Sequence, residues 1–475
     1  MPVIANILAA WKRLRIRRLY NSGDFVKSRT LSLREISSDL NRDFAVSIVL
    51  RSHYNEGNWS ELIAFTASHP SDQSTLFSKK AESKLFAKSG FLDIQPKSFI
   101  KEVWNEFSPL KNWYQEGSCL WFRHPKGWVF WDMPKEFVLS ETNESLLFLA
   151  MNVLLKPFDI RYQIGESTRR PFGQNAALSY SGGIDSTAAA ALLPEDTILS
   201  YHRRSFPSSL NHGIVDRLFE RWKLKFGRTV LQVPSNHELI RSSMGLPVGF
   251  SSDFAAGVHL ILLSDTFDLG ILAFGTPIDN TWLEKGSKFR DFSSSPYWIR
   301  WKRQFANAGL HLEFPINHIS EGGAMKVCQI TEFIDYVNSC LRGNGLKGCG
   351  KCWKCFNKNG PLGRKIDFES YEIQTFLHRI PMPTAMHALW SIHVQNLEHK
   401  FLHLQSVLQQ PFDWWEKYYS PGLDLIGEYW RDGIEENTRK YLQPMPEPIA
   451  LEQVNLYRKP PLNLEFHEKS VKHEV

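Results

Sequence analysis

A doubly wound α/β fold with a parallel sheet is predicted for the middle of this 475-residue chain. Three observations carry that prediction: an apolar strand that runs into a glycine turn and an alanine-rich helix, a repeated alternation of strand and helix after it, and ligand-capable residues at the strand ends. The first strand is Ala176 to Tyr180. Ser181-Gly182-Gly183-Ile184-Asp185-Ser186-Thr187 then reads as a turn into a helix N-terminus. Adjacent glycines let backbone N–H groups approach an anion without Cβ interference, and the helix dipole adds positive potential. The hydroxyls of Ser181, Ser186 and Thr187 stand beside that place; no lysine follows the glycines, so the loop is not of the Walker type. A glycine turn of no special function is the bland alternative. Thr197 to Tyr201 reads as the second strand, ending in His202, Arg203 and Arg204; Val215 to Phe226 is a helix and Thr229 to Pro234 the third strand. A helix over Phe254 to Asp265 and a buried strand over Leu269 to Phe274 follow, closed by Gly275-Thr276-Pro277-Ile278-Asp279-Asn280. Three strand-end loops therefore converge on one crevice.

Composition bounds the rest. The length suits two or three domains, and 43% apolar residues can bury a core. A net charge of +6 permits an anionic ligand but falls short of a dedicated nucleic-acid binder. The 16 Trp and 32 Phe read as packing. No segment has the length of a transmembrane helix. The apolar run Pro2 to Ala10 is followed, not preceded, by Lys12, Arg13, Arg15, Arg17 and Arg18, which is the wrong order for a secretory signal. That stretch reads as a solvated helix face in preference to a helix touching membrane or nucleic acid, and the chain as cytoplasmic.

Four of the six cysteines, Cys340, Cys349, Cys352 and Cys355, are spaced C-x8-C-x2-C-x2-C. Four thiolates so placed can close a tetrahedron around Zn²⁺, a full and therefore structural site. An iron–sulfur cluster uses the same ligands, and disulfides suit a signal-less chain poorly. Cys119 and Cys328 read as small buried residues.

The flanks divide the chain into an α+β accessory domain (1–172), the sheet domain (173–335), a cysteine segment (336–360) and a helical C-terminal region with an irregular tail (361–475). Phe44 to Leu50 reads as a strand, Leu120 to Phe122 and Trp128 to Trp131 as a hairpin, and Ser145 to Leu155 as a helix. Further on, Lys285 to Ser295 reads as a surface loop, one mobile enough to close over a ligand being the alternative. Met386 to Gln409 and Leu423 to Leu442 carry apolar residues at helical spacing; Pro444 to Pro448 and Pro460 to Pro461 mark the tail.

The Ser-Gly-Gly-x-Asp-Ser loop resembles that of the PP-loop ATP pyrophosphatases. Taken with the glycine-led acidic loop after a later strand, a Phe314-Pro315-Ile316 strand followed by a helix, and the cysteine set, residues 174–360 resemble the 7-cyano-7-deazaguanine synthase (QueC) family. The resemblance implies an adenine-nucleotide α-hydrolase-like fold and an enzyme that activates a carboxylate with ATP and Mg²⁺, releasing AMP and pyrophosphate, on the way to an amide or nitrile. It implies a structural zinc on Cys340, Cys349, Cys352 and Cys355. Ser181, Asp185 and Ser186 would be catalytic; Ser181, Gly182, Gly183, Ile184, Asp185, Ser186 and Thr187 would bind ATP, with His202, Arg203 and Gly275 from neighbouring strand ends. Where those synthases carry Tyr-Gly-Gln-Arg and Ser-Gly-Tyr-Pro-Asp, this chain has Tyr201-His202-Arg203-Arg204 and Asn280-Thr281-Trp282-Leu283-Glu284-Lys285, so the acceptor, a deazaguanine-type base or a protein-linked group, is left open. Enlarged relatives occur in bacterial antiphage operons, which implies a partner protein on a flanking domain. A tRNA-thiolating enzyme, a surface-sugar amidotransferase and a non-catalytic nucleotide-binding subunit are the alternatives.

Overall fold

In the computed structural model, which describes residues 2–85, 94–97, 104–165, 169–379 and 382–456, the strands expected between residues 120 and 274 lie in one mostly parallel eight-stranded sheet. Its strands are β1 (Trp113–Glu116), β2 (Cys119–His124), β3 (Gly127–Asp132), β4 (Asn175–Ser179), β5 (Ile198–Arg204), β6 (Val230–Ser235), β7 (Leu269–Phe274) and, after the small hairpin β8 (Leu283–Glu284) and β9 (Lys288–Phe289), β10 (His311–Glu313). The order is β1-β2-β3-β6-β5-β4-β7-β10. From β6 to β10 all neighbours are parallel; β1, β2 and β3 extend the edge as an antiparallel meander joined through Trp131 opposite Ser235. The chain moves one way through β4, β5 and β6 and the other through β7 and β10, so the order reverses between β4 and β7. Open α/β sheets bind their ligands outside the strand ends at such a point.

The helices explain why this sheet is buried. Ala188, Ala189 and Ala190 on Ile184–Leu192 are all fully buried, small enough for close approach. On Gly213–Phe226 the buried residues Ile214, Val215, Leu218, Phe219 and Trp222 recur at helical spacing, and Gly227 closes that helix in the left-handed conformation. Glu144–Leu154 is buried nearly all round, as an inner helix should be.

Of the described residues, those up to 94 with 206–209 form one compact unit, and those over 95–205 with 210–456 another. The first unit contains the helices Pro2–Asn21, Phe25–Glu35, Arg42–Glu56, Trp59–Ser68 and Asp72–Leu85. Val46, Leu50, Leu62, Phe77 and Ala81 are its core, where Leu50 and Leu62, fully buried, contribute about 1.5–3 kcal/mol each. The expected strand Phe44 to Leu50 is thus part of a helix. Its run Phe-Ala-Val-Ser-Ile-Val-Leu shows no clear period because Ala45, Val46, Ile48, Val49 and Leu50 are all buried among neighbouring helices. The α+β domain expected over 1–172 is corrected likewise: its strands belong to the main sheet.

Other boundaries shift for local reasons. The expected hairpin is β2–β3, paired from Cys119–Asp132 to His124–Gly127. The last strand ends at Glu313, before Pro315, which has no N–H for a ladder. Phe254 to Asp265 contains only a 3₁₀ turn, Ala255–Gly257, and the helix Val258–Leu262. Met386 to Gln409 is broken into the helix Ala385–Val394, which stops before Asn396 at φ 54°, the 3₁₀ turns Glu398–Lys400 and Leu402–Leu404, and the short helix Gln405–Leu408. Leu423 to Leu442 yields Glu428–Tyr441, starting after Gly427. The stretch 285–295 is held, not free: Gly286 O accepts from Met386 N–H at 2.8 Å, Phe289 N–H donates to Val454 O at 2.9 Å, and Arg290 N–H to Trp282 O at 2.8 Å. Pro460 and Pro461 lie outside the described residues.

Candidate functional site at the sheet reversal

The glycine loop stands at the end of β4, beside the reversal. Gly182 has φ +72°, and a Cβ there would come within 2.8 Å of Val215, so both conformation and space select glycine. A Cβ on Gly275, at the end of β7, would meet the Ser186 Cα at 2.8 Å; the two strand-end loops are in direct backbone contact. The loop's hydroxyls bond among themselves: Ser181 Oγ lies 3.0 Å from Ser186 Oγ, Gly183 N–H donates to Ser181 Oγ at 3.3 Å, and Ser186 Oγ donates to Gly183 O at 3.1 Å. Ile184 N–H donates to Ser339 Oγ at 3.1 Å, so the residue before Cys340 sits at the helix N-terminus.

Asp185 opens a buried charged cluster. Lys358 Nζ lies 2.8 Å from Asp185 Oδ1 and 2.8 Å from Glu321 Oε2, with the lysine side chain only 6% exposed. Glu321 begins the helix Glu321–Ile330, and its N–H donates to Asp279 Oδ2 at 3.0 Å. The other Asp279 oxygen, Oδ1, is buried without a hydrogen-bond partner. Behind Glu321 stands His387, whose Nε2 lies 3.2 Å from Glu321 Oε2 and 2.9 Å from Asn357 O. Trp415 Nε1–H, which can only donate, reaches His387 Nδ1 at 3.3 Å; Nδ1 must accept, and the imidazole proton therefore sits on Nε2. Burial, with the nearby Lys358 charge, lowers the His387 pKa to about 3, so this histidine is neutral. The cluster holds three carboxylates against one lysine.

The electrostatics follow from that imbalance. Burial raises the Asp185 pKa, and Lys358 pulls against it. Burial and the neighbouring Glu321 charge push Asp279 well above the usual carboxylate range. Burial opposes the charge on Lys358, but Asp185 and Glu321 outweigh it and hold the ammonium above its ordinary pKa. The cluster thus holds more carboxyl groups than cations, with one carboxyl oxygen orphaned, a donor set of the hard-oxygen kind that divalent cations prefer.

The cysteine set comes together. Cys340 Sγ lies 3.6 Å from both Cys349 Sγ and Cys352 Sγ, and Cys349 Sγ 3.9 Å from Cys355 Sγ; all four lie within 4.8 Å of one another. A tetrahedron with Zn–S bonds near 2.3 Å has edges of about 3.8 Å, so the set is compatible with one structural zinc ion. A multi-iron cluster places irons and sulfides between the thiolates and needs a wider spread. Gly350 N–H at 3.2 Å and Asn359 Nδ2 at 3.4 Å donate to Cys355 Sγ, as expected around thiolates. Among the described residues no other group of His, Cys, Asp or Glu draws its ligand atoms this close.

This segment clasps the glycine loop from two sides. Ser339, next to Cys340, holds Ile184 N–H; Lys358, on the helix Trp353–Asn359 that Cys352 caps and Cys355 anchors, holds Asp185.

Three expected ligand residues are engaged elsewhere. Thr187 is fully buried and its hydroxyl bonds Tyr180 OH at 2.9 Å, because its side chain faces the helix–sheet core. His202 Nε2 lies 3.0 Å from Glu238 Oε1, and Arg203 donates to Asp216 at 2.6 Å and Gln232 at 2.7 Å. The loop's polar side chains are thus Ser181, Asp185 and Ser186. Cys328 is fully buried with Sγ 3.5 Å from Ile184 O, and burial raises its pKa; half-buried Cys119 sits on β2. Glu321, Lys358 and His387 are additions the sequence reading missed.

A family model described as a family of unknown function, DUF6395, matches residues 300–454. That span contains Glu321, the cysteine set, Lys358, His387 and Trp415, and leaves out the glycine loop and Asp279. Neither the curated proteins nor the solved structures yield a match.

Proposed function

We propose that this chain is an ATP-dependent adenylating enzyme that splits ATP into AMP and pyrophosphate to activate a carboxylate. The observation that carries the reading is the buried excess of carboxylates, Asp185, Asp279 and Glu321 against Lys358, set against a glycine turn at the sheet reversal. In the proposed step a carboxylate oxygen of the acceptor attacks the α-phosphorus of ATP. The P–O bond to the β-phosphate breaks, and pyrophosphate leaves with its electron pair. A nucleophile such as ammonia then displaces AMP from the acyl adenylate.

Each residue has electrostatic work in that step. Ser181 and Ser186 exchange their mutual hydrogen bond for donation to β- and γ-phosphate oxygens. Ile184 N–H turns from Ser339 to the same phosphates at the helix N-terminus. Lys358 moves its charge from Asp185 to the departing pyrophosphate, freeing Asp185 with Asp279 for Mg²⁺. Asp185 and Asp279 would hold Mg²⁺ there, where it would supply neutralisation of the developing phosphate charge. His387, neutral and donating its Nε2–H to Asn357 O, stands beside Glu321 without adding charge. The engaged cysteine set and the inert, buried Cys328 leave no free thiol at the loop, which disfavours sulfur transfer to tRNA.

The test is to incubate the chain with ATP, Mg²⁺ and candidate carboxylate acceptors and to identify products by mass. AMP with pyrophosphate is expected; ADP as the product refutes the reading. Asp185→Asn should abolish AMP release with the cysteine-bound metal retained, and loss of both would make Asp185 a folding residue.

A further inference from the structure

The first helix, Pro2–Asn21, has two opposite apolar faces. Ala9, Ile16 and Tyr20 are buried against the helical unit. On the other side Ile7 (64% exposed), Leu8 (55%), Trp11 (62%) and Leu14 (53%) form a continuous outward strip at helical spacing. A solvated face, as the sequence suggested, would carry polar groups there. The strip is the densest part of a patch: among the described residues, seven of the twenty exposed large apolar side chains fall within the first 40 positions, with Val26, Leu33 and Leu40 the others.

Charge is concentrated in the same place. Residues 1–40 carry eight Lys or Arg against three Asp or Glu, a net +5 out of +6 for the whole chain. Lys12 is spent on Glu35 at 2.8 Å and Arg13 on Leu40 O at 3.1 Å. Arg15 and Arg18 point outward beside Trp11 and Leu14, and with Lys27, which also pairs with Asp24 at 2.9 Å, they line a groove of about 640 Å³ between the first two helices.

We propose that this face docks on an anionic phospholipid bilayer, with Ile7, Leu8, Trp11 and Leu14 in the acyl boundary and Arg15 and Arg18 on lipid phosphates. A helix with a tryptophan-containing apolar strip flanked by arginines has the chemistry of an interfacial helix. The arginines select negative headgroups. A nucleic-acid backbone would use the arginines and leave four apolar side chains in water, so the bilayer accounts for more of the surface. The helix lies on the membrane plane; no helix among the described residues is long and apolar enough to cross one.

The test is co-sedimentation of the full chain with vesicles of phosphatidylcholine alone or with roughly one third phosphatidylserine, at about 0.1 M salt. Binding to the anionic vesicles should exceed that to neutral ones by roughly tenfold and weaken by a similar factor at about 0.5 M salt. Trp11→Ser with Leu14→Ser, and separately Arg15→Glu with Arg18→Glu, should each cost roughly tenfold in vesicle affinity. Their circular dichroism and melting should match the parent; if the first pair does not, Ile7→Ser with Leu8→Ser replaces it. Equal binding to both vesicle types, no binding, or binding unchanged in the variants overturns the proposal. So does preferential binding of duplex DNA in the same buffer, or a dimer that the Trp11 and Leu14 variant dissociates while vesicles are ignored.

Discussion

Two buried polar clusters belong to this sheet, and their charges are balanced differently. In one, Glu238 after β6 receives His202 Nε2 at 3.0 Å and Arg204 Nε at 3.1 Å, while Arg204 also ion-pairs with its second oxygen. Burial alone would raise the Glu238 pKa, yet His202 and Arg204 carry it well below the usual value. One carboxylate faces one guanidinium. In the other, Asp185, Asp279 and Glu321 face Lys358 and a neutral histidine, and Asp279 keeps an orphaned oxygen. The comparison teaches how to separate scaffold from site: around Glu238 the ion pair with Arg204 balances the charge, although His202 Nδ1 is buried without a partner, whereas in the other cluster the carboxyl groups outnumber the cations and the orphaned atom is a carboxylate oxygen.

The largest perturbation should be loss of the cysteine-held metal. Cys352→Ser, or a strong chelator, should cost several kcal/mol, because structural zinc contributes folding free energy directly. It should also free Ser339 and Lys358, so hydrogen exchange at the Ile184 amide should quicken well before amides near Glu238 respond. Equal acceleration at both clusters would mean that the clasp does not act on the loop.

Lys358→Met comes next. It removes the buried ion-pair partner of Asp185 and Glu321, and breaking such a pair costs about 3–5 kcal/mol. If the cluster is open to a cation, millimolar Mg²⁺ should recover much of that loss in thermal melts. A deficit indifferent to Mg²⁺ would remove the cation from the proposal.

How legible these clusters were follows from their construction. The Ser181 to Ser186 loop and the cysteine set are local: spacing within a short segment is enough to single them out, and the parallel strands follow from the same apolar runs. Glu321, Lys358 and His387 come from three separate helices, and each has an innocent local reading. Glu321 follows Ser320 as an ordinary first-turn acid, His387 lies among Ala385, Met386, Ala388 and Leu389 as a core histidine would, and Lys358 in Asn357-Lys358-Asn359 looks solvated. Only the fold buries all three together. For His202 and Arg203 the converse holds: a strand-end position suggests a ligand, while the partners they bond in the fold, Glu238 and Asp216, lie 36 and 13 residues away. The first helix hid its second apolar face because two opposed strips cancel in any single-period reading.

Glu238→Gln should cost less, about 2–3 kcal/mol, and Mg²⁺ should not restore it. Its pH signature has a definite sign. The folded pKa lies below the ordinary 4.5, so the unfolded chain binds the proton first; the stabilisation is complete above pH 4.5 and is lost as pH falls below it. Buried His237, held neutral well below 6.5 by burial and by His202, adds in the same direction. Urea titrations from pH 6 down to pH 3 should show a shallower acid loss in the variant than in the parent. Parallel slopes would mean that Glu238 does not hold its charge through His202 and Arg204.

The smallest change in stability should come from Asp279→Asn, and it separates the clusters most sharply. Asparagine keeps a carbonyl oxygen for the Glu321 N–H and removes a buried charge that burial and Glu321 both disfavour. The metal-free variant should therefore melt at or slightly above the parent, by up to about 1 kcal/mol of added stability. The same substitution should erase the Mg²⁺-dependent rise in melting temperature and slow AMP formation. Functional carboxylates are recognised by this opposition, in which neutralising the residue relieves the resting fold and removes its response to the ligand. If Asp279→Asn destabilises the chain while the Mg²⁺ response survives, Asp279 belongs with Glu238 in the scaffold, and the cation must be held by Asp185 and Glu321 alone.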